Sequence, residues 1–334
     1  MSFSPINAED IQISSDSVIS TLWSNDQTIL TNFFTSTEDD FNYLKIYNLN
    51  PNTNDKAETQ FSINYGNASG SGSQPLNQLV PSMSPSRITY GQIRTLIYGD
   101  ENKKINFGIG NTDSEDFYII NIERDRYKEK LFLDTFNLKL TNTSGSLNLT
   151  NNSKDSNNIN YCDAGRIFDI VSGSNGNSIL GGGTTTSGSY GKFLPDVGMI
   201  ILNPNAMVLP SIQGGLSITI DKNQTEFSLD NNNNVLYNLI KNGSYFSLNS
   251  EETITSNFTF IRVKNNDYNY TTNPSIINSN GEFYHNTLIN NPQTYITTVG
   301  LYNDSNELLA VAKLSKPLKK DFTKEALLRV RLDF

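Results

Sequence analysis

The last nine residues restrict the fold more than any other stretch. Over 326–334 apolar and charged side chains alternate, with Leu328, Val330, Leu332 and Phe334 on one side and Arg329, Arg331 and Asp333 on the other. A period of two marks a strand with one packed face and one wet face. A chain that stops on the apolar face of such a strand is expected to have that end held in a sheet. Just upstream, two apolar runs, 296–302 and 308–314, enclose the polar residues Asn303, Asp304, Ser305 and Asn306. They read as a β-hairpin with a four- or five-residue loop. The forty residues together suit a fitted structural part better than a free-floating enzyme.

Composition extends the β reading to the whole chain. With 334 residues it can bury roughly three quarters of its unfolded surface, enough for one large core or two smaller ones. Asn, Ser, Thr and Gly favour turns, while Tyr, Phe, Ile and Thr favour strands, and alanine-rich helical chemistry is nearly absent. The expected fold is mainly β, with β-sandwich-like antiparallel sheets, a few short helices and long polar loops. Strands are expected at 28–34, 42–47, 60–66 (Phe61, Ile63 and Tyr65 on one face), 117–122, 136–140, 166–171, 191–202, 245–248, 253–264 and 275–277. Residues 43–47 read as buried on both faces.

One helix is well marked: Ser84 as N-cap, Pro85 at the first helical position, Ile88, Ile93, Leu96 and Ile97 at near-helical spacing, and Gly99 as the stop. Shorter helices are expected at 125–131 and 235–241. The Asn/Ser/Thr-rich 141–160 and the Gly/Ser/Thr-rich 172–189 are too polar to pack a core and read as surface excursions. Asn280-Gly281 suits a type I′ hairpin turn, which needs φ > 0 at both central residues. Organisation is expected as an N-terminal arm (1–25), a β-rich body (26–294, with a soft boundary near 181–189) and the C-terminal hairpin and strand (295–334).

Charge and chemistry bound the function. A net charge of −9 and a pI near 4.7 argue against nucleic acid as main partner, since neutralising phosphates needs a basic face. The C-terminal end departs from this: Lys313, Lys316, Lys319, Lys320, Lys324, Arg329 and Arg331 outnumber Asp321, Glu325 and Asp333. That is either the solvated side of a terminal hairpin or a docking surface for an acidic neighbour. Cys162 is the only cysteine, so an intrachain disulfide is excluded. No apolar run approaches a membrane span, and the N-terminus lacks the regions of a signal peptide. Folding in a reducing cytoplasm is expected, and Asn-x-Ser/Thr triplets such as those at Asn67, Asn142 and Asn257 read as by-products of composition.

No catalytic signature stands out. His285 is the only histidine, which rules out two-His metal sites and leaves a single imidazole base. It reads as an ordinary strand-edge residue after the Asn-Gly turn, and Cys162 as an inert thiol. The glycine-rich stretches at 173–176 and 181–184 lack the Lys-Ser/Thr of a phosphate loop. The acidic clusters Glu38-Asp39-Asp40 and Asp113-Ser114-Glu115-Asp116 lack EF-hand spacing, and no pair of acids can be nominated as a glycosidase dyad. Tyr268-Asn269-Tyr270 with Thr271-Thr272 would suit a sugar-binding face, though tyrosines more often pack across a sheet or pave an interface. No cofactor is expected.

Three stretches resemble a known family. They are Thr298-Val299-Gly300-Leu301-Tyr302-Asn303-Asp304 with 307–313, Tyr90-Gly91-Gln92-Ile93-Arg94-Thr95-Leu96-Ile97 with 119–131, and 190–203. They resemble virion structural proteins of contractile-tailed, T4-like phages of marine cyanobacteria, over about a third of the chain. The first also looks like a hairpin near the N-terminus of some phage tail-fibre proteins. The resemblance implies a non-enzymatic building block of the virion, assembled in the host cytoplasm from contacts with copies of itself and with other virion proteins. The tail, baseplate or fibre-attachment region is the expected position; a neck or capsid-decorating role and a host-glycan-binding module are the alternatives, with a polysaccharide hydrolase behind them. The expected contact surfaces are the N-terminal arm and the C-terminal end, carried by Val299, Leu301, Tyr302, Leu314, Lys316, Lys319, Lys320, Leu328, Arg329, Val330, Arg331, Leu332 and Phe334.

Overall fold

The computed structural model describes residues 4–36, 43–73, 84–108, 113–155, 159–179, 183–222, 230–269 and 273–334. In chain order the elements are β1 (Ile11–Thr21), β2 (Ile29–Leu30), β3 (Leu44–Tyr47), β4 (Thr59–Asn67), α1 (Pro85–Tyr98), β5 (Ile105–Asn106), β6 (Asp113–Ser114), β7 (Asp116–Ile122), β8 (Lys130–Asn142), β9 (Gly145–Asn151), β10 (Asn160–Cys162), β11 (Gly165–Ser174) and β12 (Asn177–Ser178). They continue with β13 (Gly191–Leu194), β14 (Met199–Leu202), α2 (Pro204–Val208), α3 (Asp230–Gly243), β15 (Phe246–Val263), α4 (Thr287–Asn290), β16 (Thr294–Tyr302), β17 (Leu308–Lys320) and β18 (Ala326–Asp333). The fold is mainly β, built on a large antiparallel sheet with four short helices. The chain divides into two units: Val18–Glu252, and Met1–Ser17 with Thr253–Phe334.

In the larger unit the strands follow the order β15-β8-β9-β11-β13-β14-β7-β4-β3, each antiparallel to its neighbours. This sheet curls until its ends meet. β2 pairs with the start of β15 (Leu30 opposite Phe246), and four residues later Phe34 bridges to Tyr47 at the end of β3. The rings of Phe61 on β4 and Phe246 on β15, at opposite ends of the strand order, lie 5.4 Å apart. The layers expected of a sandwich are thus the facing walls of one barrel-like sheet. Its interior holds Ile63, Ile120, Leu138, Leu149, Ile170 and Ile200, with Phe136 stacked on Phe193 at 4.7 Å. Leu236, Leu239 and Ile240 of α3 join that core, the helix packing against β8 as well as β3 and β4.

A second core lies on the outer side of the same strands. Successive β7 residues split between them: Tyr118, Ile120 and Ile122 face inward, while Phe117 and Ile119 meet Tyr90, Ile93 and Ile97 of α1. Helix α1 forms as its sequence signals require, with Pro85 in the first turn and Gly99 at φ 61° ending it. Ser84 spends its hydroxyl on the carbonyl of Gly70 rather than on the helix, and Ile88 stays exposed. Gly66 faces Phe117 across β4 and β7, and a Cβ there would sit 2.6 Å from the ring. The missing side chain makes room for Phe117 to stack on Tyr90 at 5.0 Å.

Several expectations change. The first half of the stretch expected as an excursion, 141–151, belongs to the sheet: β9 forms a hairpin with β8, and Leu147 and Leu149 are buried between polar neighbours, while 156–158 lie outside the described residues. β11 likewise extends to Ser174, so 172–174 belong to the sheet. Residues 191–202 make two strands around a Pro195–Gly198 turn, with Gly198 at φ 70°. In place of a helix at 125–131 there is one 3-10 turn at Arg124–Arg126, after which β8 begins. Residues 43–47 bury only alternate side chains, Leu44 and Ile46.

In the smaller unit β18 pairs with β15 from Ser256↔Asp333 to Val263↔Ala326. β1 has β15 as its one strand neighbour among the described residues. Among the described residues β16 and β17 pair with each other alone. Residues 275–277 form no strand, only the bridge Ile277↔Phe283. Of Asn280 and Gly281 just Gly281 has positive φ; the turn is held by the Asn278 side chain, which accepts from the backbone N–H groups of Asn280 and Glu282. Val263, Ile277 and Val330 are buried, but none of the unit's described residues belongs to either hydrophobic core.

Candidate assembly surface

The β16–β17 hairpin is closed and anchored at both ends by polar contacts. At the tip, Glu307 N–H donates to the Asn303 side chain (2.8 Å), the Asn303 amide donates to the Glu307 carboxylate (2.7 Å), and Asn306 takes φ 60°. At the base the Lys320 ammonium is buried and donates to the carbonyl of Asn265 (2.9 Å) and to Asn269 Oδ1 (3.0 Å). The Thr294 hydroxyl donates to the carbonyl of Tyr268. Between tip and base the hairpin has apolar side chains on both faces, and among the described residues no third strand joins it. Val299 and Leu301 are half-buried opposite Ala312 and Ala310, and Leu314 is half-buried too. Leu309 is 67 % exposed, Val311 60 % and Tyr295 59 %, while Tyr302 and Leu308 are also exposed.

The expected contact residues divide. Lys316 is exposed and Lys319 half-exposed, but Lys320 is taken up inside its own unit and is not open to a partner. On β18, Val330 is buried and Leu328 and Leu332 are half-buried; Phe334, just past the strand, is 77 % exposed. Arg329 and Arg331 place their guanidinium groups over the Phe258 ring, at 5.3 and 5.6 Å from its centroid. Arg331 also donates to Asp333 (2.6 Å). The Asp333 carboxyl is held below its ordinary range, first by the Ser256 hydroxyl and then by Arg331. Sequence reasoning passed over Tyr295, Leu308, Leu309 and Val311. The signal was present: 308–312 is apolar at consecutive positions, not alternate ones, so the strand carries apolar groups on both faces.

Other chemical candidates disperse. Asp113 accepts from Asn106, Glu115 pairs with Lys104, and the buried Asp116 accepts from Tyr65 (2.7 Å) and Asn67 and pairs with Lys222 (2.7 Å). Burial, then the Asp116 charge, pushes the Tyr65 hydroxyl far up, as expected of a structural network. The cluster at 38–40 lies outside the described residues, and among those described no three His, Cys, Asp or Glu side chains could hold a metal ion. Cys162 lines a cleft of about 390 Å³ with Tyr98, Asp163, Asp169 and Lys192. Burial pushes its thiol up, so it is protonated at neutral pH. His285 is exposed. In the sugar-face stretch Asn269 is committed to Lys320 and Asn265, and 270–272 lie outside the described residues. No helix among the described residues is long and apolar enough to cross a membrane.

No protein-family model matches the chain, and no curated protein or solved structure is similar to it.

Proposed function

We propose that this chain is a non-enzymatic structural component of a tailed-phage virion, working by assembly with copies of itself and with neighbouring virion proteins. The observation that carries the reading is the bare hairpin. A two-stranded sheet is marginal in water on its own, and one with apolar side chains on both faces calls for a protein cover. The basic side chains of β17 and β18 on an acidic chain suit acidic neighbours. Resemblance of three stretches to cyanophage virion proteins supplies the kind of particle, and the tail-fibre-like hairpin favours the tail, baseplate or fibre-attachment region.

Cryo-electron microscopy of the purified particle tests this. Density for the chain at the baseplate or a fibre root, with the hairpin covered, is the expected result. Density at the neck or on the capsid would overturn the position and keep the structural class. Its absence from intact particles would overturn the reading.

A further inference from the structure

The strand edges of the smaller unit differ in how they are defended. Proteins keep free edges from pairing with other chains by charges, proline and irregular backbone. β17 has all three: Lys313, Lys316 and Lys319, Pro317, and two breaks in register. Between Ile296↔Leu318 and Thr298↔Lys313, β16 advances two residues while β17 advances five. Between Leu301↔Ala310 and Tyr302↔Leu308, β16 advances one and β17 two. Every extra residue therefore falls on β17. β18 carries Arg329, Arg331 and Asp333, and β1 has the exposed Asp16 at its middle.

β16 has no such defence. Thr294-Tyr295-Ile296-Thr297-Thr298-Val299-Gly300-Leu301-Tyr302 contains no charge and no proline and is made almost wholly of strand-favouring residues. That is the composition that pairs readily with another strand. Its outer edge meets no strand among the described residues.

We propose that β16 is the dimerisation edge of this protein, pairing antiparallel with β16 of a second copy about a two-fold axis at its central residue, Thr298. An uncharged edge fits an uncharged partner, and among the open edges of the smaller unit only another β16 is one. The pairing sets Tyr295 opposite Leu301, Thr297 opposite Val299 and Thr298 opposite itself, so no like charges face each other across the seam. It yields a four-stranded sheet in the order β17-β16-β16-β17. The two lysine-bearing strands are then three strand spacings apart, about 14 Å, beyond the screening length of about 8 Å at physiological ionic strength. Because the contact is isologous it closes at two copies and does not propagate into fibres. This deepens the assembly reading above by naming one edge and one occupant, and it can be tested on the purified full chain without any particle.

Sedimentation of the full chain should give a dimer. Thr298→Lys sets like charges across the axis and should weaken the dimer about tenfold or more. Mixing Thr298→Lys with Thr298→Glu copies should restore it. In a Cys162→Ser background, Thr298→Cys should form an intermolecular disulfide on mild oxidation, because paired residues of antiparallel strands lie within bridging distance. Ser17→Cys on β1, in the same background, should not. A chain that stays monomeric, a dimer indifferent to Thr298→Lys, cross-linking through position 17, or open-ended polymers would each overturn the proposal. Particles that incorporate a monomeric Thr298→Lys chain normally would overturn the role of this edge in assembly while leaving the virion reading standing.

Discussion

The two units answer the same need, hiding apolar surface, in opposite ways. The larger unit hides it internally: a sheet rolled until Phe61 meets Phe246, plus a second core beneath α1. The smaller unit has strands of comparable length but no core cluster, and its apolar side chains stand on the surface of β16, β17 and β18. Strand content alone therefore says little about autonomy. Closure decides it, since each wall of a rolled sheet covers the other, whereas a lone hairpin covers nothing. The first kind of unit buries its own apolar surface, and the second leaves much of it on the outside.

The contrast is broken most severely by Phe246→Ala. Phe246 is fully buried, with its ring 5.0 Å from Trp23, 5.4 Å from Phe61 and 6.3 Å from Phe136. Its loss should cost about 3–5 kcal/mol. Trp23 is the only tryptophan and lies in this core, so its fluorescence during urea unfolding reads the larger unit alone. A loss under 1 kcal/mol would mean that the rolled sheet is not what stabilises it. Lys320→Ala comes next, at about 1–3 kcal/mol, because the base of the hairpin loses a buried ammonium and both its hydrogen bonds. Hydrogen exchange should quicken in 294–320 while the Trp23 transition stays in place; a shift of that transition would show that the units unfold as one.

How much of this could be read from residue order follows from the range of the contacts. The hairpin was legible because its runs and turn are adjacent in sequence. β9 was not: Leu147 and Leu149 alternate properly, but Asn and Ser neighbours gave the segment the composition of a loop. Two strands were merged at 191–202, although Pro195 and Gly198 mark the turn between them. Closure of the sheet depends on residues 29–34 touching both β15 and β3, contacts that no local pattern reveals. The same holds for Lys320, which looks no different in sequence from Lys316 or Lys319 and differs only in meeting Asn265 and Asn269.

Within the larger unit a smaller effect is sharpened by pH. Burial alone would raise the Asp196 carboxyl, but the Arg166 side chain and the Arg166 backbone N–H (2.8 Å) outweigh it and hold the group below its usual range. A carboxylate whose pKa is lower folded than unfolded contributes fully above the unfolded value, near 3.9, and loses that contribution as pH falls through the folded one. The Trp23 unfolding midpoint should therefore drop as the solution is taken from about pH 5 to below 4. Asp196→Asn should cost about 1 kcal/mol at neutral pH, the pair being partly exposed, and should flatten that drop. An unchanged slope would remove Asp196 from the acid response.

The smallest effect on stability carries the most information about the other unit. Leu309→Ser and Val311→Ser together remove two exposed apolar side chains from β17. In a self-contained domain, surface changes of this kind stay within about 0.5 kcal/mol each, and the isolated chain should unfold almost as before. If the hairpin exists to be covered, the same pair should still impair incorporation into particles, because the cost appears only when a partner must bury serine in place of leucine and valine. Normal incorporation would show that this face of β17 remains bare in the assembly, leaving the opposite face, with Val299 and Leu301, as the one to be covered.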